Sequence, residues 1–182
     1  KTKYYMRTDM DDYNYPYRLI DTKKFIENSG EIVDLIYSDI VEKNSLRLMR
    51  YPTPSLIPLV SAFKNPIAAP TVCIRKNYLI EKNITYPLLN RCEDLSVFLK
   101  FVDNKANIFK LPRPVVEYKN NNLFKRDYKN WIINSRVRLK RARYDFIGYI
   151  SFLMAFIILF YGLFMLSILK LKKIVNLLFK YF

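Results

Sequence analysis

Arg7-Thr8-Asp9-Met10-Asp11-Asp12 is the stretch whose reading decides the fold. It follows an aromatic, strand-like run, Tyr4-Tyr5-Met6, and precedes Asn14-Tyr15-Pro16-Tyr17-Arg18-Leu19, a turn that opens a helix. Side chains alternate in an extended segment, so Asp9 and Asp11 are expected on one side. Two carboxylates on one side of a strand end can grip a hard divalent cation, and such a cation can hold a diphosphate. The bland reading is an acidic turn that caps the next helix and suits its dipole.

Outward from this cluster the chain alternates strands and helices. Lys3 to Arg7 reads as a strand, Pro16 to Ser29 as a helix stopped by Gly30, and Ile32 to Tyr37 as a strand. Ser45 to Tyr51 is a further candidate strand, and Tyr51-Pro52-Thr53-Pro54 opens a loop region with a short helix over Ser55 to Ala62. Ala69 to Arg75 reads as a strand, followed by a short helix near Asn77 to Glu81. Glu93-Asp94 opens a helix whose apolar positions, Leu95, Phe98, Phe101 and Val102, follow a three-four spacing. Ile108 to Leu111 and Val115 to Tyr118 read as strands, and Tyr128 to Tyr144 as a basic helix. This interleaving predicts an α/β domain.

Composition narrows the chemistry. The chain has 182 residues, with hydrophobic content of 51% and aromatic content of 16%, which argues against disorder. Histidine is absent, which removes Ser-His-Asp and Cys-His catalysis and nearly every zinc site. There are three glycines and no Gly-rich phosphate loop, so a Rossmann or P-loop site is not expected. Cys73 and Cys92 form no C-x-x-C pair and read as small reduced residues. Carboxylates, hydroxyls and basic side chains remain. Glu93-Asp94 is a second acidic pair: Asp94 either caps its helix or, in a water-poor pocket, serves as a general base.

The net charge of +15 is uneven. From Lys125 onward, 12 Lys or Arg stand against Asp127 and Asp145. This excess flanks Phe146 to Leu169, 24 residues without a charge and long enough to cross a membrane. Anionic lipid headgroups are therefore the expected partner, ahead of nucleic acid. Lys125-Arg126-Asp127-Tyr128-Lys129-Asn130-Trp131 could stack and pair with nucleic acid, but the membrane-facing reading is preferred. Arg136, Arg138, Lys140, Arg141 and Arg143 closely precede the apolar segment, and Lys170, Lys172, Lys173 and Lys180 follow it, so charge bias barely orients it. The soluble part is expected on the cytoplasmic side. The expected divisions are 1–124, a partial catalytic domain; 125–145, a basic juxtamembrane helix; 146–169, the membrane helix; and 170–182, a basic amphipathic tail lying in the interface.

Taken in order, these motifs resemble family 2 glycosyltransferases of the GT-A fold. The resemblance rests on the aromatic strand, Arg7-Thr8-Asp9-Met10-Asp11-Asp12 and Pro16-Tyr17-Arg18-Leu19. It continues through Asn65-Pro66-Ile67, the strand Thr71-Val72-Cys73-Ile74-Arg75, Glu93-Asp94-Leu95 and Leu111-Pro112-Arg113-Pro114-Val115-Val116-Glu117-Tyr118. It covers about residues 3–120 and implies a partial GT-A-like domain followed by a membrane helix. By that resemblance Asp9 and Asp11 hold a divalent metal (Mn or Mg) and the donor diphosphate, with Asp12 and Arg18 in the same donor subsite. Asp94, beside Glu93, is the base that deprotonates the acceptor hydroxyl. The partners implied are a nucleotide-sugar donor and a lipid-linked or glycan acceptor, with inversion in one in-line displacement and no nucleic acid.

Departures from the family pattern qualify these expectations. The family's strand-helix-strand half that binds the nucleotide base has no counterpart before Lys1, so the chain reads as the C-terminal portion of a longer protein. Asn83-Ile84-Thr85-Tyr86 replaces the usual Gly-Gly-Tyr turn. No Gln-x-x-Arg-Trp pattern is present, so transfer of single sugars is expected over polymerisation. The alternatives are a non-catalytic membrane-anchored remnant or partner-binding module of a transferase and, more remotely, a nucleic-acid-binding or metal-nuclease module.

Overall fold

The apolar run around Leu35 is covered on both faces, and this dictates how the other elements are arranged. A computed structural model describes residues 2–89, 92–119, 128–141 and 146–178. It divides into two compact units, Lys1–Leu88 with Glu93–Leu123, and Leu89–Cys92 with Phe124–Phe182.

In the first unit the chain runs β1 (Tyr4–Met6), β2 (Tyr13–Asn14), α1 (Arg18–Asn28), β3 (Leu35–Tyr37), β4 (Ile40–Glu42), β5 (Arg47–Met49), α2 (Ile57–Ser61), β6 (Cys73–Arg75), α3 (Lys76–Glu81), α4 (Glu93–Asp103), β7 (Ile108–Lys110) and β8 (Val116–Tyr118). Two small sheets result, ordered β1-β6-β3-β7 and β2-β8-β4-β5. In the first, β6 is antiparallel to β1 and β3, whereas β3 and β7 are parallel with Leu35 opposite Ile108. In the second, β4 and β8 are parallel with Ile40 opposite Val116. The architecture is mixed α/β, as the alternation of strands and helices in the sequence predicts.

Successive side chains of a strand point to opposite faces, so β3 feeds two cores. Leu35 and Tyr37 pack with Val97, Phe98 and Phe101 of α4. Ile36 packs with Cys73, Val115 and Val116, and Phe25 and Ile26 of α1 lie against that second cluster. Asp34, at the entry to β3, sits beneath this apolar cover and is satisfied completely. It accepts from Arg75 Nε at 3.0 Å, Arg75 Nη2 at 2.8 Å and the Asn107 N–H at 2.8 Å.

Three times the chain passes from the first sheet to the second: β1 to β2, β3 to β4, and β7 to β8. Hydroxyls fix the middle crossing. The Ser38 N–H donates to Thr71 Oγ1 at 3.1 Å, and Ser38 Oγ accepts the Val115 N–H at 3.2 Å, tying two crossings together. The β1-to-β2 crossing carries the acidic cluster.

Several elements depart from expectation. The strand foreseen over Ala69 to Arg75 begins with a 3-10 turn, Ala69–Thr71, and only Cys73–Arg75 pairs. Strands β2 and β4 are too short and too mixed in polarity to stand out. Gly30 does follow α1, with φ of +64°, the conformation glycine tolerates best. Cys73 is buried and unpaired, its thiol pushed up to about 11 by burial, whereas Cys92 is only half-buried.

The second unit holds α5 (Tyr128–Lys140) packed along α6 (Phe146–Leu178). Within α6, Tyr149–Ile168 is long and apolar enough to cross a hydrocarbon core. Leu153, Ile157, Phe160 and Phe164 form an exposed stripe there, unlike a helix interred in a soluble core. The helix does not end at Leu169 but continues to Leu178, so much of the expected tail extends the same element. The end of the basic helix expected to reach Tyr144, residues 142–145, lies outside the described residues, as do residues 120–127.

Asp34→Ala should destabilise the first unit by about 3 kcal/mol, because it leaves the Arg75 guanidinium only its longer 3.4 Å contacts with Glu81 and strands the Asn107 amide. Chemical denaturation of the full chain in detergent micelles checks this.

Candidate functional site

The site is built where β1 ends. Arg7 is the first residue past the strand, and its N–H donates to the Val72 carbonyl at 3.1 Å, continuing the β1–β6 ladder by one step. The chain then tightens. The Asp12 N–H donates to the Asp9 carbonyl at 3.2 Å, closing a turn with Met10 and Asp11 at its exposed centre. The alternation expected of an extended strand therefore does not apply over residues 9–12. Aspartate favours turns because its short carboxylate competes for local amides. Asp9 opens that turn and Asp11 lies at its centre.

Arg18 secures the turn from beneath. It is 4% exposed, and its Nη2 donates to the Arg7 carbonyl at 2.8 Å and the Val72 carbonyl at 3.4 Å. Its Nη1 donates to Asn14 Oδ1. The guanidinium is thus engaged with the residues flanking β1 and β6 and with β2, and burial lowers its pKa. Asp12 ties the turn to the second sheet by accepting the Lys119 N–H at 2.9 Å. Burial raises the Asp12 pKa, the Lys119 bond opposes the rise, and the charges of Asp11 and Asp9 add to it. The three carboxylates therefore share one crowded turn.

Arg7 joins this turn to the start of α4. Its Nε donates to Asp9 Oδ1 at 3.2 Å, and its Nη1 donates to Asp94 Oδ1. One guanidinium thus touches two carboxylates 85 positions apart in the sequence. All three side chains are partly open to solvent, at 27% for Arg7, 34% for Asp9 and 20% for Asp94. The Asp94 pKa is raised by burial foremost; Arg7 opposes this by charge and hydrogen bond, while Glu93 and Asp9 push it further up. Glu93 Oε2 is buried and accepts no hydrogen bond among the described residues.

The donor set suits a hard divalent cation held in part by substrate. Among the described residues, no three His, Cys, Asp or Glu side chains converge as a self-sufficient metal cage. Magnesium-type sites commonly use one or two carboxylates, completed by substrate phosphates and water. Asp9 and Asp11 supply that number of hard-oxygen groups, and the fit holds on those terms.

Sequence reasoning gave Arg7 and Lys119 no role at the site. A cation at the exit of a strand, two positions before a carboxylate cluster, was the available signal for Arg7. The role of Lys119 lies in its backbone and left no side-chain signal. A cavity of about 390 Å³ lies elsewhere, between α1 and the segment Leu111–Arg113, and none of the acidic-turn residues lines it. Beside it Arg113 grips Asp21 at 2.6 and 2.9 Å and covers the Tyr17 ring at 3.7 Å.

No protein-family model matches the chain, and no curated protein matches its sequence. Among solved structures, the fold is similar to S. aureus TarS 1-349, a GT-A-like glycosyltransferase, with a TM-score of 0.57 and 19% identity. The match covers 85% of this chain and 47% of that one, so the chain spans about half the length of the structure it resembles. The likeness is one of fold.

Arg18→Met keeps most of the buried volume and removes the hydrogen bonds to Arg7, Val72 and Asn14. It should cost about 2–3 kcal/mol, read as a lowered denaturation midpoint, because buried carbonyls lose their donor.

Proposed function

We propose that this chain is the catalytic and membrane-anchoring portion of a glycosyltransferase. It moves a single sugar from a nucleotide-sugar donor to a lipid-linked or glycan acceptor, with inversion at the anomeric carbon. The observation that carries this reading is the Arg7 bridge between Asp9 and Asp94. It joins the acidic turn to the helix-borne carboxylate through one guanidinium, which suits a displacement that needs donor and base side by side. The glycosyltransferase-like fold supports it independently.

In this scheme Asp94, ionised, accepts the proton of the acceptor hydroxyl. The acceptor oxygen forms its bond to the anomeric carbon as the bond to the diphosphate oxygen breaks on the opposite face. The proton remains on Asp94 and the electron pair leaves with the nucleotide diphosphate. A carboxylate at a helix N-terminus is ordinarily a weak base, because the dipole favours its charge. Burial of Asp94 and the neighbouring charge of Glu93 work against that and strengthen it. Asp9 and Asp11 are the residues that would hold a divalent cation, Mn or Mg. That cation supplies positive charge against the departing diphosphate when bound. Asp12 and Arg18 keep the turn in shape through Lys119 and the strand carbonyls.

The apolar stripe of α6 favours a lipid environment, which suits an acceptor carried at a membrane surface. The catalytic unit is placed on the cytoplasmic face because reduced cysteines and nucleotide-type substrates fit there. The non-catalytic alternative is read from nucleotide binding. Absence of metal-dependent affinity for any nucleoside diphosphate would favour a remnant over an enzyme.

With manganese and a panel of nucleotide sugars, Asp94→Asn should lower kcat about 10²–10⁴-fold while nucleotide binding persists. Since only the deprotonated base works, kcat/KM should fall as pH drops through the raised Asp94 pKa. That acid limb should lie above the ordinary carboxylate value of about 3.9. An unchanged kcat in Asp94→Asn would rule out its role as the base.

A further inference from the structure

The Arg7 guanidinium serves two masters, and this has a thermodynamic consequence. Its backbone is pinned on both sides, by the N–H bond to Val72 and by Arg18 Nη2 on its carbonyl, so only the side chain is free to adjust. Different edges of the fork meet different carboxylates: Nε meets Asp9 and Nη1 meets Asp94. Neither carboxylate receives the bidentate grip that a guanidinium gives a single partner. A divalent cation at Asp9 would compete for a carboxylate that Arg7 already contacts, and would repel the guanidinium directly.

We propose that Arg7 is a positioning residue that couples the donor-cation subsite to the base: cation binding at Asp9 releases the guanidinium to Asp94. This rests on the functional reading above, in which Asp9 and Asp11 hold the cation. The guanidinium then holds Asp94 alone, fixing its orientation at the stage when donor is present. Such coupling is reciprocal. Whatever frees Arg7 from Asp94 strengthens its hold on Asp9 and weakens the cation there. The device resides in one side chain and requires no backbone movement.

The test is Mn²⁺ binding to the full chain in detergent micelles, at fixed pH and without nucleotide, followed by electron paramagnetic resonance. Arg7→Met should bind Mn²⁺ about three- to tenfold more tightly than wild type, because the competing cation is gone. Asp94→Asn should weaken binding by a similar factor in the wild-type background and by less in Arg7→Met. Arg7→Lys, which keeps the charge without the fork, should fall between wild type and Arg7→Met and guards against a folding defect. Unchanged or weaker binding in Arg7→Met, or an equal Asp94→Asn effect in both backgrounds, overturns the coupling alone. Mn²⁺ binding insensitive to Asp9→Asn and Asp11→Asn overturns the cation assignment, and the coupling falls with it.

Discussion

The constraint on which the first unit depends is the double-sided burial of β3. A strand of three residues has little hydrogen bonding to offer, and Leu35, Ile36 and Tyr37 are all sealed from solvent. Apolar cover on both faces requires α4 on one side and α1 on the other. Once both helices are committed, the chain can change sheets only at strand ends. Those ends are where Asp9 to Asp12, Ser38 and Pro112 to Val115 occur. The acidic turn is therefore a by-product of topology: it occupies a crossing that the cores oblige the chain to make. The same packing sets α4 so that its first turn, with Glu93 and Asp94, meets the end of β1.

Electrostatics then decides what such a junction can be. Four aspartates gathered near one loop would repel one another, and two devices contain that repulsion. Arg7 neutralises between Asp9 and Asp94, and Lys119 gives Asp12 an amide. Asp34 is the useful contrast. It is more deeply buried than any of them, yet it accepts three hydrogen bonds, two of them from Arg75, and its role is structural. Asp9 and Asp94 differ from it: they share one guanidinium and stay partly open to solvent, which suits them to chemistry.

Much of this was legible in the sequence because strong local patterns agreed with the tertiary outcome. The three-four spacing of Leu95, Phe98, Phe101 and Val102 reports α4, and three of those side chains line the main core or pack on it. Gly30 punctuates α1 as expected. Local pattern failed where long-range pairing decides. Strand β2 is two residues long and exists because Tyr13 and Asn14 find Glu117 and Val116. Residues 9–12 were read as extended from the strand before them, but the need to leave the first sheet makes them turn. Arg7 was overlooked because its partner, Asp94, lies at the far end of the fold's sequence, and no window of a few residues contains both.

The unbroken course of α6 has one mechanical implication. At about 1.5 Å per residue, 33 helical residues measure roughly 50 Å, against a hydrocarbon slab of about 30 Å. In a bilayer the surplus becomes a rigid spar standing proud of the lipid, continuous with the part inside it. A helix with no joint at the surface turns any change in lipid thickness into tilt along its whole length. The segment from Lys170 to Leu178 would then share the inclination of the part within the lipid.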